Sequence, residues 1–402
     1  MARNKAERNL MARGSLRPLF SLKKNGGLSL LFLLLIFLPL ADMVFTIAQP
    51  LALIEKRKLA AVPRFSWSRP WDFPRQAESY FNDHFGLRSH LVHWHNRLMV
   101  QWFDASPTDK VIVGRRGWLF MGRETKTRDE LDYYRSLTPL SPSELRQWRQ
   151  TLCQRRDWLA GRNIRYIFLV VPNKSTIYPE YMPGRFRRLH PRSRLDQLLA
   201  ELEREKDFPV LDVRPELQRA KERYTVYNRT DSHWNELGAY FAYERILGRL
   251  AADFPGLPRP SLDQFAIEST DWAGGDLAQM LSLHKKYYRE RAIRLRYRGT
   301  AEVTALRSRR SLGPYVRETI TECATAPLPG MVMVHDSFAH QLKPLLNPRF
   351  RRIVYIWDWR LRFFKDVIEE ERPAVVIDEM AERALCDLVP ENPPGLGLAP
   401  AP

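Results

Sequence analysis

Two residues in the middle of the chain have the types and spacing for proton-transfer chemistry. Asp231 and His233 lie two positions apart in Thr230-Asp231-Ser232-His233-Trp234-Asn235-Glu236. An aspartate at that distance can hold the imidazole, fix its tautomer and stabilise its cationic form. Such a pair lacks a nucleophile, and Ser337 offers one. It follows the apolar run Met331-Val332-Met333-Val334 and the pair His335-Asp336. Brought together, Ser337, His233 and Asp231 are the parts of a serine acyl-transfer enzyme. Asn173 is a fourth candidate, its amide suited to donating to an oxyanion. Each residue also has a structural use: Asp231 at a helix entry, His233 in the core or on the surface, Ser337 as an N-cap, Asn173 in a turn.

The elements needed to position these residues are legible. Ser141-Pro142-Ser143-Glu144 is a capping box that opens a helix carrying Leu145, Trp148, Leu152 and Leu159. Residues 166–171 and 209–213 read as strands with a helix around 195–202 between them, and Asn235 caps a further helix. Residues 331–334, 352–356 and 374–378 add three strand-like runs. The alternation predicts an α/β fold, a mainly parallel sheet flanked by helices. In such sheets ligands gather beyond the carboxyl ends of the strands, where Asn173 and Ser337 lie. Val111–Phe120 reads as two short strands around a turn, Ala77 to Trp102 as mostly helical, and residues 262–330 as irregular decoration. Within the last, residues 285–310 hold ten Lys/Arg against two Glu, predicting a basic face that is either a charge-guarded edge or a landing strip for a polyanion or lipid headgroups.

The chain has 402 residues and a formal net charge of +18. No zinc-finger spacing, RNP motif or phosphate-cradling glycine loop accompanies that charge, and a membrane segment argues further against nucleic acid. The segment starts at Leu28, after a tail (1–27) holding seven Lys/Arg and one Glu. Residues 28–50 are expected to form a single-pass membrane anchor, with the basic tail cytoplasmic and the body exported. A cleaved signal peptide is the alternative. Residues 51–110 form the linker and helical lead-in, 111–390 the catalytic domain and 391–402 a flexible tail. Cys153, Cys323 and Cys386 allow at most one disulfide.

The chain resembles the alginate O-acetyltransferase family of the AlgJ/AlgX type, which has an SGNH-hydrolase-like domain. The likeness rests on several stretches in the family's order. They are Tyr80–Arg88, Val113–Phe120, Val171-Pro172-Asn173-Lys174-Ser175-Thr176-Ile177-Tyr178-Pro179-Glu180, Asp231-Ser232-His233-Trp234, Gly275-Asp276-Leu277 and Asp336-Ser337-Phe338. The resemblance implies Ser337 as nucleophile, His233 as general base and Asp231 as its orienting carboxylate. Asn173, Lys174, His335 and Asp336 are further oxyanion or substrate candidates. The resemblance further implies acetyl transfer to exopolysaccharide hydroxyls on the periplasmic side of the inner membrane, with a membrane-bound O-acyltransferase as the partner supplying acetyl. No cofactor is expected. The single span makes the chain resemble the AlgJ form. His335 departs from the glycine usual before the Ser turn, so its side chain either crowds the oxyanion pocket or adds a donor or base.

Three other readings use the same residues. A periplasmic esterase would release acetate. A non-catalytic scaffold of an export complex would work through the basic face. A metal-dependent hydrolase would use Asp231, His233, His335 and Asp336 as ligands.

Overall fold

Continuous apolar runs build the central strands, because successive side chains on a strand point to opposite faces and both faces of this sheet are buried. In the computed structural model, which describes residues 26–45, 47–48, 58–306, 308 and 310–396, seven strands form it. In chain order they are β1 (Arg165–Val171), β2 (Val210–Asp212), β3 (Thr304–Leu306), β4 (Arg317–Glu322), β5 (Leu328–His335), β6 (Phe350–Trp357) and β7 (Val375–Ala381). Their order across the sheet is β2-β1-β7-β5-β6-β4-β3. The β2-β1-β7-β5-β6 pairings are all parallel. β4 runs antiparallel to β6, and β3 antiparallel to β4. The fold is α/β, as the alternation predicts.

Both faces are covered. Ile167, Leu169, Val171, Met331 and Met333 pack with the helices Glu236–Leu250 and Ala339–Leu346. Tyr166, Phe168, Val170, Val332 and Val334 pack with Pro142–Ala160, Arg194–Leu202 and Lys365–Glu371. The capping box forms, with Ser141 and Glu144 satisfying each other's backbone donors. Asn235 caps its helix by accepting from the Gly238 N–H at 3.0 Å.

The structure departs from the sequence reading in several places. The 262–330 region is not mere decoration, since β3 and β4 extend the main sheet. In β4 only Ile320 is buried, so this half-exposed strand near the sheet edge carries no apolar run to announce it. Phe265–Trp272 and Glu290–Tyr297 form a separate antiparallel pair. The basic face there is partly neutralised: Arg294 pairs with Glu236, Arg296 with Glu268, and Arg310 with Glu318, Glu370 and Glu371. The expected flexible tail is anchored at its start. Arg155 donates to Asn392 Oδ1 and the Glu391 carbonyl, and Leu396 is buried; residues 397–402 lie outside the described residues. All three cysteines are free thiols.

Contacts divide the chain into two compact units, one up to Trp94 and one from His95 onward. The first contains the helix Gly26–Phe45, twenty residues long and apolar enough to cross a membrane. The basic tail up to residue 25, part of the expected anchor and residues 51–57 of the linker lie outside the described residues. The predicted helical lead-in is two helices, Asp72–His84 and Arg88–Phe103. They are broken where Gly86 approaches the first helix so closely that a Cβ would lie 2.1 Å from the Pro39 carbonyl oxygen. Leu87 follows with φ +60°.

Candidate active site

Parallel pairing puts the carboxyl ends of β1, β7 and β5 on one rim, with Ala381 opposite Val171 and Asp378 opposite Val334. The turn after β5 carries Ser337. Its main chain is fixed by Asp336, whose Oδ1 accepts from the Phe338 N–H and Oδ2 from the Ala381 N–H, both at 2.8 Å. The helix beyond starts from Phe338, with no side-chain cap. Ser337 is therefore not an N-cap. Its Oγ lies 2.8 Å from His233 Nε2.

His233 sits on an irregular loop, Asn228–Trp234, that side chains hold from three sides. Lys174 Nζ donates to the carbonyls of Asn228, Arg229 and Asp231 at 3.0, 3.2 and 2.6 Å. Glu290 accepts from the N–H groups of Arg229 and Thr230 and from the Thr230 hydroxyl. Asp276 accepts from the Ser232 N–H at 2.7 Å and from Ser232 Oγ at 2.6 Å. In return, the Asp276 N–H donates to Asp231 Oδ2 at 2.9 Å. Gly275 has to be glycine here, because a Cβ would lie 2.3 Å from the Asp231 Cβ. The remaining Asp231 oxygen, Oδ1, accepts from the His233 N–H at 2.9 Å and lies 2.7 Å from the ring Nδ1.

The electrostatics follow from this geometry. Burial would push the Asp231 carboxyl up, but the His233 ring and two backbone N–H groups outweigh it and hold the pKa at about 2. Burial would likewise lower the His233 pKa, and the hydrogen bond and charge of Asp231, helped by Asp276, raise it above its ordinary value. Nδ1 thus keeps its proton toward Asp231, and Nε2 is left to accept from Ser337. The two loops are also clamped directly. The buried Trp234 Nε1 donates to the Phe338 carbonyl at 3.0 Å, and the Phe338 ring lies 4.8 Å from the imidazole.

Of the residues singled out from sequence, Asp231, His233 and Ser337 form one connected line. Asn173 follows β1 on the same rim. It is fully buried, and neither side-chain polar atom has a protein partner. Lys174 stands elsewhere in the argument: its three protons go to loop carbonyls, and burial lowers its pKa to about 8. It braces the histidine loop and has no proton left for substrate. Asp336 is likewise occupied with backbone. His335 points away from Asp231, its Nδ1 2.6 Å from the Asp336 carbonyl oxygen and its ring against Tyr355 and His340. Burial drops its pKa to about 3, so it stays neutral. The four proposed metal ligands do not converge. Asp231, His233 and Asp276 have donor atoms within 4.8 Å of one another, yet every oxygen of those two carboxylates already accepts from a protein donor.

Sequence reasoning missed Asp276 and Glu290 as positioning groups. Asp276 had a signal, the Gly275-Asp276-Leu277 stretch, but Glu290 lies in a basic run with no motif. It also missed Arg383, a buried guanidinium over the Phe338 ring at 5.2 Å.

A family profile described as SGNH hydrolase-like domain, acetyltransferase AlgX matches residues 111–318, more than half of the chain. The chain belongs to this acetyltransferase family. The match includes Asn173, Asp231, His233 and Asp276 but stops before Ser337, which the 2.8 Å contact above joins to His233. A "Probable alginate O-acetylase AlgJ" of Pseudomonas syringae pv. tomato is 26% identical over 212 residues, 52% of this chain and 50% of its own length. The protein of the same description from Pseudomonas aeruginosa is 29% identical over 143 residues, 36% of this chain and 32% of its own. The matches thus span a third to a half of these curated relatives. Among solved structures, Bacillus cereus PatB1 superposes with a TM-score of 0.50 at 16% identity, over 69% of this chain and 97% of that one. That likeness concerns the fold alone.

Beside the histidine loop of this AlgX-family chain runs a groove of about 680 Å³. Trp118 and Tyr181 line it as a stacked pair, ring centroids 4.7 Å apart, together with Asn228, Arg229, Arg289 and Arg291.

Proposed function

We propose that this chain is a membrane-anchored periplasmic O-acetyltransferase that moves acetyl groups through an acetyl-Ser337 intermediate to hydroxyls of an exopolysaccharide. The observation that carries the reading is the Asp231–His233–Ser337 line, held at 2.7 and 2.8 Å. His233 Nε2 takes the Ser337 proton as Oγ attacks the acetyl carbonyl, and Asp231 stabilises the imidazolium that forms. The tetrahedral oxyanion is held by the Ser337 backbone N–H, and the buried, unpartnered Asn173 amide is the side-chain donor we assign to it. Collapse expels the leaving group, which takes the proton from His233. A sugar hydroxyl then gives its proton to His233, attacks the acetyl-serine and leaves as the acetyl ester, and the proton returns to Ser337.

Membership of the AlgX family supports acetyl transfer. The groove beside the histidine loop, with Tyr181, Asn228 and the guanidinium groups of Arg229, Arg289 and Arg291 on its walls, supports a glycan acceptor, since a cleft with a few placed polar groups suits a hydroxyl-rich ligand. The apolar helix Gly26–Phe45 and the basic residues preceding it in sequence support the anchor and its orientation. A membrane-bound O-acyltransferase is the partner we assign as acetyl source.

The test is to incubate the full chain in detergent with an activated acetyl ester and candidate oligosaccharides. A mass increase of one acetyl on the Ser337 peptide, lost in Ser337→Ala, together with acetylated sugar, is the expected result. Acetate release indifferent to added sugar would make the chain an esterase. Polymer acetylation that persists in cells carrying Ser337→Ala would make it a scaffold.

A further inference from the structure

The helix Arg88–Phe103 presents its faces the wrong way round for a helix that only packs on protein. Val100 and the polar Ser89 and Asn96 are buried, and the Asn96 amide donates to the Leu281 carbonyl at 2.8 Å. Leu91, Leu98 and Trp102, spaced seven and four residues apart, are exposed by 49%, 46% and 76%, and Phe103 by 64%. Such spacing puts the first three on one stripe of the helix. The sixteen residues include Arg88, Arg97 and three histidines, and no acid.

The position of this helix shows what covers the stripe. Its first turn is tied to the end of the apolar helix Gly26–Phe45. The Leu87 N–H donates to Asp42 Oδ2 at 2.8 Å, and Gly86 lies against the Pro39 carbonyl with no room for a side chain. Asp42 is the lone charged residue of that apolar helix, and a charge near the end of a span lies at the headgroup level. The helix Arg88–Phe103 therefore starts at the depth where a bilayer meets water. A tryptophan and leucine stripe on a basic helix at that depth matches the composition of helices that lie in a membrane interface.

We infer that Arg88–Phe103 is an interfacial helix that lies along an anionic bilayer surface with Leu91, Leu98 and Trp102 in the lipid. This rests on the reading of Gly26–Phe45 as a membrane anchor, and it adds a second attachment to the bilayer.

Photocrosslinking tests it. The full chain is reconstituted into nanodiscs of phosphatidylethanolamine and phosphatidylglycerol, with benzoylphenylalanine placed singly at Leu98 or Trp102. Leu189, exposed on the body by 57%, is the control, and Leu34 reports the anchor. Lipid adducts at Leu98 and Trp102 in several-fold excess over Leu189 are expected. Adducts no more frequent than at Leu189, or chain-to-chain dimers in their place, overturn the inference. Labelling at Leu34 without labelling at 98 and 102 leaves the anchor and removes the interfacial helix. The converse pattern keeps the helix on the membrane and removes the anchor.

Discussion

The two halves of the proposed catalytic line are positioned by different means. Ser337 comes off the end of a buried strand, so sheet register places it, and one carboxylate, Asp336, sets the turn. His233 sits on a loop without regular structure, and Lys174, Glu290 and Asp276 each reach it from a different part of the sequence. Ser337, the proposed nucleophile, is thus held largely by the fold, and His233, the proposed base, by side-chain bonds to backbone. Damage to the base side is therefore expected to be selective, costing rate before it costs the fold.

On the base side the largest effect should come from Asp231→Asn, which leaves the loop nearly isosteric but no longer fixes the tautomer. A rate loss on the order of 10⁴-fold with an unchanged melting curve is expected, read by acetyl transfer and calorimetry. Gly275→Ala should follow. Its methyl would push Asp231 aside, and a misplacement of that kind costs on the order of 10²-fold in rate. The Ser337→Ala protein, damaged on the strand side, should by contrast fold normally and lose the acyl-enzyme altogether.

A smaller effect separates the two acids near His233. The base must be neutral, so activity falls as pH drops through its pKa. Because Asp231 and Asp276 raise that pKa, the acidic limb of the rate profile should lie above the ordinary histidine value of about 6.5. Asp276→Asn removes one of the raising charges and should move the limb to lower pH while much activity remains; an unmoved limb would show that Asp276 only shapes the loop. Smallest is Trp234→Phe, which deletes the indole bond to the Phe338 carbonyl. A loss of about 1 kcal/mol in denaturant unfolding is expected, with a modest rise in the rate of nonproductive opening between the two loops.

The same contrast explains what could be read from the chain. The parallel core and its helices were legible because strand runs such as 166–171 and 331–334 and the Ser141 box leave periodic or local signatures. The Asp231–His233 pair was legible because its members are two residues apart. The work of Lys174 and Glu290 was not, since a side chain reaching carbonyls or N–H groups some sixty residues away leaves no periodicity. Lys174 drew attention through its neighbours, and its role came out as a brace. The strand Arg317–Glu322 was hidden for a related reason: a half-exposed strand of alternating polar residues looks like loop.

The anchoring of residues 391–396 bears on where a soluble version of this enzyme can end. Arg155 and Asp378 are fully enclosed, 2.8 Å apart, and two acceptors of the guanidinium come from Glu391 and Asn392. A stop codon after Pro390 would strip those acceptors from an ion that water cannot reach, at a cost of a few kcal/mol. The terminal proline-rich stretch thus acts as a latch on the back of the sheet, and an expression boundary belongs beyond Leu396.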